Sequence, residues 1–257
     1  MFRNFFLLLI IVLPNLLLSQ TLPSSAMQAA GSNMIFLYDE PANTFLNSAT
    51  NLEGLQSSFS NFYQIKDLNQ YSVIINKNLG RYGVSAGLRS LYFSAFSKNS
   101  LTLSCSYHSE FIQLGISENI NYTNIEDYQN EYKYITDLGL LITHKQLYTG
   151  VSYKNIFGFE DDNERTPIIL NWENGYHINE NVRVGIMIEK EHNFNFTSAF
   201  GSSYCYRNLF TISTSYQLNP DRFSAGIAFK IKNYEISYAI KSHQYLNLSH
   251  FVSVKLL

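Results

Sequence analysis

The residues with the most obvious chemical promise are Gly83-Val84-Ser85-Ala86-Gly87, which match the Gly-x-Ser-x-Gly pattern of a nucleophile elbow. An elbow needs a strand-to-helix turn that lifts the serine clear of the backbone. Here Tyr82, Val84, Ala86 and Leu88 alternate with Gly83, Ser85, Gly87 and Arg89 through one extended run, which puts Ser85 in the middle of a strand. The six histidines, His108, His144, His177, His192, His243 and His250, show no metal-ligand spacing and fall near strand ends. The acidic run Glu160-Asp161-Asp162-Asn163-Glu164 lacks the glycine and the terminal acid of a calcium loop and reads as a solvated connection. Cys105 and Cys205 are too few for a disulfide framework and are expected as free thiols. The sequence therefore assigns no catalytic residue, no metal and no cofactor, and the chain reads as a non-enzyme.

A second set of reactive groups remains, namely charged residues in the small-residue phase of otherwise apolar alternations. Arg89, Asp137, Lys154, Arg183, Glu189, Lys230, Glu235 and Lys241 all occupy that phase. Their signs are mixed, which suits pairing with one another or with a plugging segment more than an ion-selective path.

The elements that position these groups have period two. Val182, Val184, Ile186 and Ile188 alternate with Arg183, Gly185, Met187 and Glu189; Phe223, Ala225, Ile227 and Phe229 alternate with Ser224, Gly226, Ala228 and Lys230. One phase carries no charge, and the other is Gly, Ser, Thr and Asn with single charges. A secreted sandwich would turn a charged face to water, so the pattern points to an apolar-out, polar-in barrel. Candidate strands fall near 57–64, 70–79, 82–93, 100–108, 110–121, 131–143, 147–157, 166–176, 181–190, 195–205, 208–217, 222–231, 233–242 and 250–257, an even number. Tight turns at Gly80-Arg81, His108-Ser109, Lys145-Gln146, Tyr206-Arg207 and Lys232-Asn233 alternate with longer connections at 121–130 and 157–165. That alternation is the one expected between periplasmic turns and external loops.

Composition agrees. The chain holds 19 Tyr and 19 Phe but only 15% charged residues, too many aromatics and too little charge for a surface wetted all round. Eighteen basic against 20 acidic residues leave no nucleic-acid footprint. Residues 1–19, with Arg3 before an apolar run from Phe5 to Leu13, have the layout of a secretory signal cleaved near Ser19 or Gln20. Past residue 20 no apolar run is long enough for a spanning helix, so a bilayer can be crossed only by a closed barrel. The expected organisation is a signal peptide at 1–19, a plug at 20–56 and an all-β closed antiparallel transmembrane barrel of about fourteen strands at 57–257.

Residues 20–56 lack the period of two and are rich in small side chains. Met27, Ala30 and Gly31, then Asp39, then Asn47-Ser48-Ala49 resemble the N-terminal signature of the FadL-like and PorV-like outer-membrane barrels, with Ser48 where that signature has proline. The last hairpin and the terminal strand, with Val252, Val254 and Leu256 in one phase, are similar to the same families, although Leu257 replaces the usual aromatic. The resemblance implies a fourteen-stranded barrel whose N-terminal segment folds into the lumen, with Asp39 and Asn47 among the plug residues. It also implies one of two roles. PorV-like members are accessory barrels of the type IX secretion machinery, with envelope protein partners; FadL-like members are gates for hydrophobic ligands. The short chain and short external loops favour the first, with outer-membrane lipid as the common partner.

Overall fold

The computed structural model describes residues 21–126, 130–160, 166–192 and 194–256. The signal-peptide reading, the acidic run from Asp161 and Leu257 lie outside them. Among the described residues fourteen strands are found: β1 (Gly54–Asn61), β2 (Asn69–Leu79), β3 (Tyr82–Phe93), β4 (Phe96–His108), β5 (Ile112–Ile125), β6 (Glu131–His144), β7 (Leu147–Glu160), β8 (Ile169–His177), β9 (Val182–Glu191), β10 (Thr197–Tyr206), β11 (Phe210–Leu218), β12 (Arg222–Ile231), β13 (Tyr234–Lys241) and β14 (Ser249–Leu256). Each pairs antiparallel with its neighbours in sequence, and β1 pairs β14 from Leu55–Leu256 to Asn61–His250, so the sheet closes on itself without an edge.

Alternation makes the wall two-sided. In β3, Gly83, Ser85 and Gly87 are buried while Tyr82, Val84, Ala86 and Leu88 are exposed. Ser85 is thus a wall residue within a ladder, hydrogen-bonded to Asn51 Oδ1 at 3.4 Å. The outer face exposes Leu55, Val73, Ile75, Leu103, Leu114, Ile186 and Ile236, among many others, an apolar surface of the kind that lipid covers. Outward tyrosines border it: Tyr82 and Tyr107 form a ring pair at 5.6 Å near one rim, and Tyr71, Tyr92 and Tyr132 stand near the other.

Strand limits moved where the sequence gives weak boundaries. β1 begins at Gly54 rather than 57, so residues 54–56 belong to the wall and not to the plug. β4 begins at Phe96 rather than 100, because Phe93 and Phe96 pair directly across Ser94-Ala95. That connection is as tight as those at the opposite rim, with Ser94 taking a positive φ of 43°. The other long connections keep the expected alternation, 62–68 and 242–248 opposing two-residue turns such as Gly80-Arg81 and Lys232-Asn233.

One irregularity interrupts the wall. Between the pairs Thr136–Phe157 and Leu138–Tyr153, three residues of β7 oppose Asp137 alone. Asn155 stands there at φ 60°, its backbone N–H donating to Asp137 Oδ1 at 2.8 Å. Pairing of β7 with β8 ends one residue earlier, at Lys154–Ile169.

Residues 21–53 fill the interior. Helix α1 (Ala26–Ala30) starts at Ser25, whose Oγ accepts from Gln28 N–H, and ends as Ser32 and Asn33 turn to positive φ. Two single 3₁₀ turns follow, Ile35–Leu37 and Pro41–Phe45. A helix this short and this poor in charge has no stability of its own. It is held by the wall, packing against β11 to β14.

Candidate functional site

The lumen is the candidate site, and small wall residues create the space for the plug. A β-carbon on Gly115 would meet the Ser48 carbonyl oxygen at 2.1 Å, and one on Gly175 would meet the Phe36 ring at 2.1 Å. Asn47 sits against Gly139, its Nδ2 donating to Val151 O at 3.1 Å and Leu140 O at 3.4 Å, while its Oδ1 accepts from Ala49 N–H at 3.0 Å. The Asn-Ser-Ala step is therefore a tight turn pressed onto the barrel wall. Met27 packs with Tyr38 and Ala228, and Ala30 faces Gly226.

Several of the charged candidates reach the plug directly. Arg183 pairs with Asp39 at 2.6 Å and also donates to Phe36 O at 3.1 Å. Lys154 donates to Phe45 O at 3.1 Å, and the Arg89 guanidinium lies over the Phe45 ring at 4.7 Å. Glu189 accepts from Thr21 Oγ1 at 3.1 Å. Asp137 stays within the wall, accepting from Asn119 Nδ2 at 2.9 Å and at the β7 irregularity. Lys241 donates to Gln217 Oε1 at 3.0 Å. Glu235 pairs with Lys255 at 2.9 Å, and Lys230, beside them, is exposed. Of the ten residues expected in the lumen or plug, only Arg183 and Asp39 form an ion pair with each other.

Sequence reasoning missed several residues that do the same work. Glu40 is buried in the plug, where it accepts from Gln56 Nε2 at 2.6 Å and from Ser25 Oγ. Burial pushes its carboxyl up from the usual 4.5, against the pull of Ser25, Gln56 and Lys255. Tyr38 beside it is driven far up by the same burial, reinforced by Glu235. Glu173 accepts from the Ile35 N–H at 3.0 Å, and Lys255 donates to Asp39 O at 3.1 Å. Glu173 was legible in principle, since it shares its phase with Asn171 and Gly175.

Two small voids flank Thr21, of about 20 and 10 Å³, each lined by Thr21, Asn33 and Glu189. At the rim of the tight turns a vestibule of about 310 Å³ opens under the plug, lined by Leu37, Tyr38, Leu52, Phe210, Arg183 and Lys255 among others. Among the described residues no group of His, Cys, Asp and Glu could hold a metal ion, and Cys105 and Cys205 are free.

A closed fourteen-stranded barrel has counterparts among solved structures. The fold is that of outer-membrane barrels. The chain is similar to the CymD monoaromatic hydrocarbon channel, with a TM-score of 0.69 and 10% identity over 91% of this chain and 97% of that one. It is similar also to the Pseudomonas putida toluene transporter TodX, at 0.64 and 11% over 91% and 96%. A TodX deltaS2S3 mutant monoaromatic hydrocarbon channel gives 0.68 and 11% over 90% and 98%. No protein-family model matches the chain, and no curated protein matches it. At this identity the likeness is one of fold, covering nearly the whole of both chains.

Proposed function

We propose that this protein is an outer-membrane channel for small hydrophobic molecules, closed at rest by residues 21–53. The observation that carries the reading is how the plug is held. It fills the lumen through side-chain hydrogen bonds to many strands and one ion pair open to water, and it contributes no strand to the closed ladder, so it can withdraw as a unit while the wall stays paired. Two of those attachments, Asn47 to Val151 and Lys154 to Phe45, lie on β7 just before its pairing with β8 ends. Withdrawal of the plug would therefore loosen the wall where the β7–β8 ladder stops, giving an apolar solute a sideways route into lipid. The vestibule beneath is large enough for a single aromatic ring. The neighbouring folds support this assignment, since their names describe hydrocarbon channels.

Uptake of a radiolabelled monoaromatic hydrocarbon by cells carrying the barrel should exceed uptake by cells without it. Equal uptake sinks the reading. The accessory-barrel role in an export machine retains one observation in its favour, the short connections Ser94-Ala95 and 219–221 at the rim where an entry site would be built. Recovery of a stoichiometric envelope partner from native membranes, together with equal uptake, would reinstate it.

A further inference from the structure

The plug's Phe36 is enclosed by groups that each favour an aromatic ring. Its side chain is 6% exposed and rests on Gly175 of β8, so closely that a β-carbon there would stand 2.1 Å from Cδ1, 2.3 Å from Cγ and 2.5 Å from Cε1. Tyr148, paired directly with Gly175 across β7 and β8, holds its ring centroid 4.9 Å from that of Phe36 at 35°. His177, two residues further along β8, meets the same ring at 4.8 Å and 77°, an edge-to-face contact. Arg183, directly opposite His177 on β9, places its guanidinium carbon 5.8 Å from the centroid. Met187 and Ala199 of the wall pack around the remainder.

Tilted and edge-to-face partners and a cation over the ring all act on the charge distribution of a π-system, which an aliphatic group of the same size lacks. Cations recur over the plug's rings. Tyr38 lies under Lys255 at 5.0 Å and Phe45 under Arg89 at 4.7 Å, so each of the three aromatic rings in residues 21–53 has a wall cation over it. Among the described residues, Phe36 alone of the three also has ring partners from the wall. The charge of Arg183 is already answered by Asp39 at 2.6 Å, so the pocket asks for no charge on its occupant. It adjoins the vestibule of about 310 Å³, which Leu37 and Arg183 also line.

We infer that Tyr148, Gly175, His177 and Arg183 form the binding site for the ring of a neutral monoaromatic solute, and that Phe36 fills this site in the closed state as a tethered stand-in. The inference deepens the channel reading and rests on it for the withdrawal that empties the pocket. A phenyl side chain carries the same six-carbon ring as such a solute, so the two exclude each other. Tethering gives Phe36 an effective concentration on the order of 1 mM, against which the solute must compete. A bound solute keeps Phe36 out and thereby shifts the plug toward its withdrawn position, in proportion to its occupancy. The permeant unlocks its own passage, and the barrel rests closed when none is present.

The test is a fluorine NMR titration of the purified barrel with fluorobenzene in a non-aromatic detergent. Phe36→Ala should bind the probe roughly ten-fold or more tightly than wild type, because the tethered competitor is gone. In Phe36→Ala/Gly175→Ala affinity should fall back toward the wild-type level, since the three atoms nearest the added methyl all belong to the Phe36 ring and the methyl takes the space that ring leaves. Partitioning into detergent is common to the three proteins and cancels in the comparison. Fluorocyclohexane should bind Phe36→Ala several-fold more weakly than fluorobenzene does. Equal affinity of wild type and Phe36→Ala overturns the inference, as does tight binding that survives in the double variant or does not distinguish the two probes. If Phe36→Ala is not heat-modifiable and so not folded, hydrogen exchange of residues 34–38 in wild type decides: saturating fluorobenzene should speed it, and unchanged exchange overturns the inference. Equal cellular uptake with and without the barrel, beside the expected titration, would remove the channel reading while the ring site stands; raised uptake with no tightening in Phe36→Ala would remove the ring site while the channel stands.

Discussion

Replacing Gly115 by alanine adds one methyl group to the wall at the point where the plug's backbone touches it. The added carbon would stand 2.1 Å from Ser48 O, 2.2 Å from its carbonyl carbon and 2.4 Å from Ala49 N, all main-chain atoms that cannot rotate away. Ordinary contact begins at 3.4 Å, so this part of the plug must withdraw by about 1.3 Å. The neighbouring Asn47 donates to Val151 O at 3.1 Å and Leu140 O at 3.4 Å, and a shift of that size takes both beyond hydrogen-bonding range. Two lost hydrogen bonds and the overpacking together cost ~2–4 kcal/mol, which raises the population with an unseated plug roughly thirty-fold to several-hundred-fold. Gly185→Ala is the control, since its methyl would meet only Asn174 O at 3.4 Å, Met34 Sδ at 3.5 Å and Leu37 Cδ2 at 3.6 Å. Planar-bilayer recordings should show frequent opening for Gly115→Ala and wild-type behaviour for Gly185→Ala, with both barrels heat-modifiable. Identical conductance from the two variants would refute the view that the plug is what closes the lumen.

Three further outcomes follow from other contacts. Because burial raises the Glu40 carboxyl above 4.5, the folded plug binds a proton that the released segment does not; seating is strongest below pH 4.5 and weakens as pH rises from there toward the raised value. Hydrogen exchange of residues 24–46 should accordingly be slower at pH 4.5 than at pH 7.5 after correction for intrinsic rates, and Glu40→Gln should flatten the difference. Asp39→Ala should cost no more than ~1 kcal/mol in urea unfolding from vesicles, since Asp39 is exposed, while Arg183→Ala should cost more because it also loses the bond to Phe36 O and the contact with that ring. Leu88→Lys, at a position 59% exposed on the outer face, should destabilise the barrel in a bilayer by ~2–4 kcal/mol if it lies near the midplane. The same change in a soluble sheet would be nearly neutral, so a neutral result in vesicles would count against lipid as the solvent for this face.

Much of the wall could be read from the chain because period two and the chemistry of the two phases are strictly local properties. Tyr82 to Arg89 already names its inner and outer faces, and Gly80-Arg81 names the turn before it. The start of β4 was not legible, because Ser94-Ala95 contains none of the usual turn residues and Ser94 takes its positive φ through the pairing of Phe93 with Phe96. Asn155 was equally hidden: its bulge is imposed by Asp137 on another strand, a contact no local window contains. The plug divides in the same way. Its existence follows from the absence of periodicity between residues 20 and 56, and Asp39 and Asn47 could be picked out by resemblance. Glu40, one residue further on, looked like an ordinary surface acid; it is buried because Gln56 and Ser25 converge on it from separate elements. Glu173 and Lys255 each stand alone on a strand, and only closure of the ring shows which plug atoms they reach.

The seam between β1 and β14 has a consequence for assembly. Every other strand pair joins neighbours in sequence and can form as a hairpin, so the ring can grow by local zippering and must make one distant junction last. The plug leads directly into β1 and touches both sides of that junction, Ala26 N–H donating to Ser253 Oγ at 2.8 Å and Ala42 N–H to Gln56 Oε1 at 3.0 Å. A segment anchored on both sides of that joint offers β14 a surface to register against as it reaches β1, so the stopper also serves as the form about which the staves are raised.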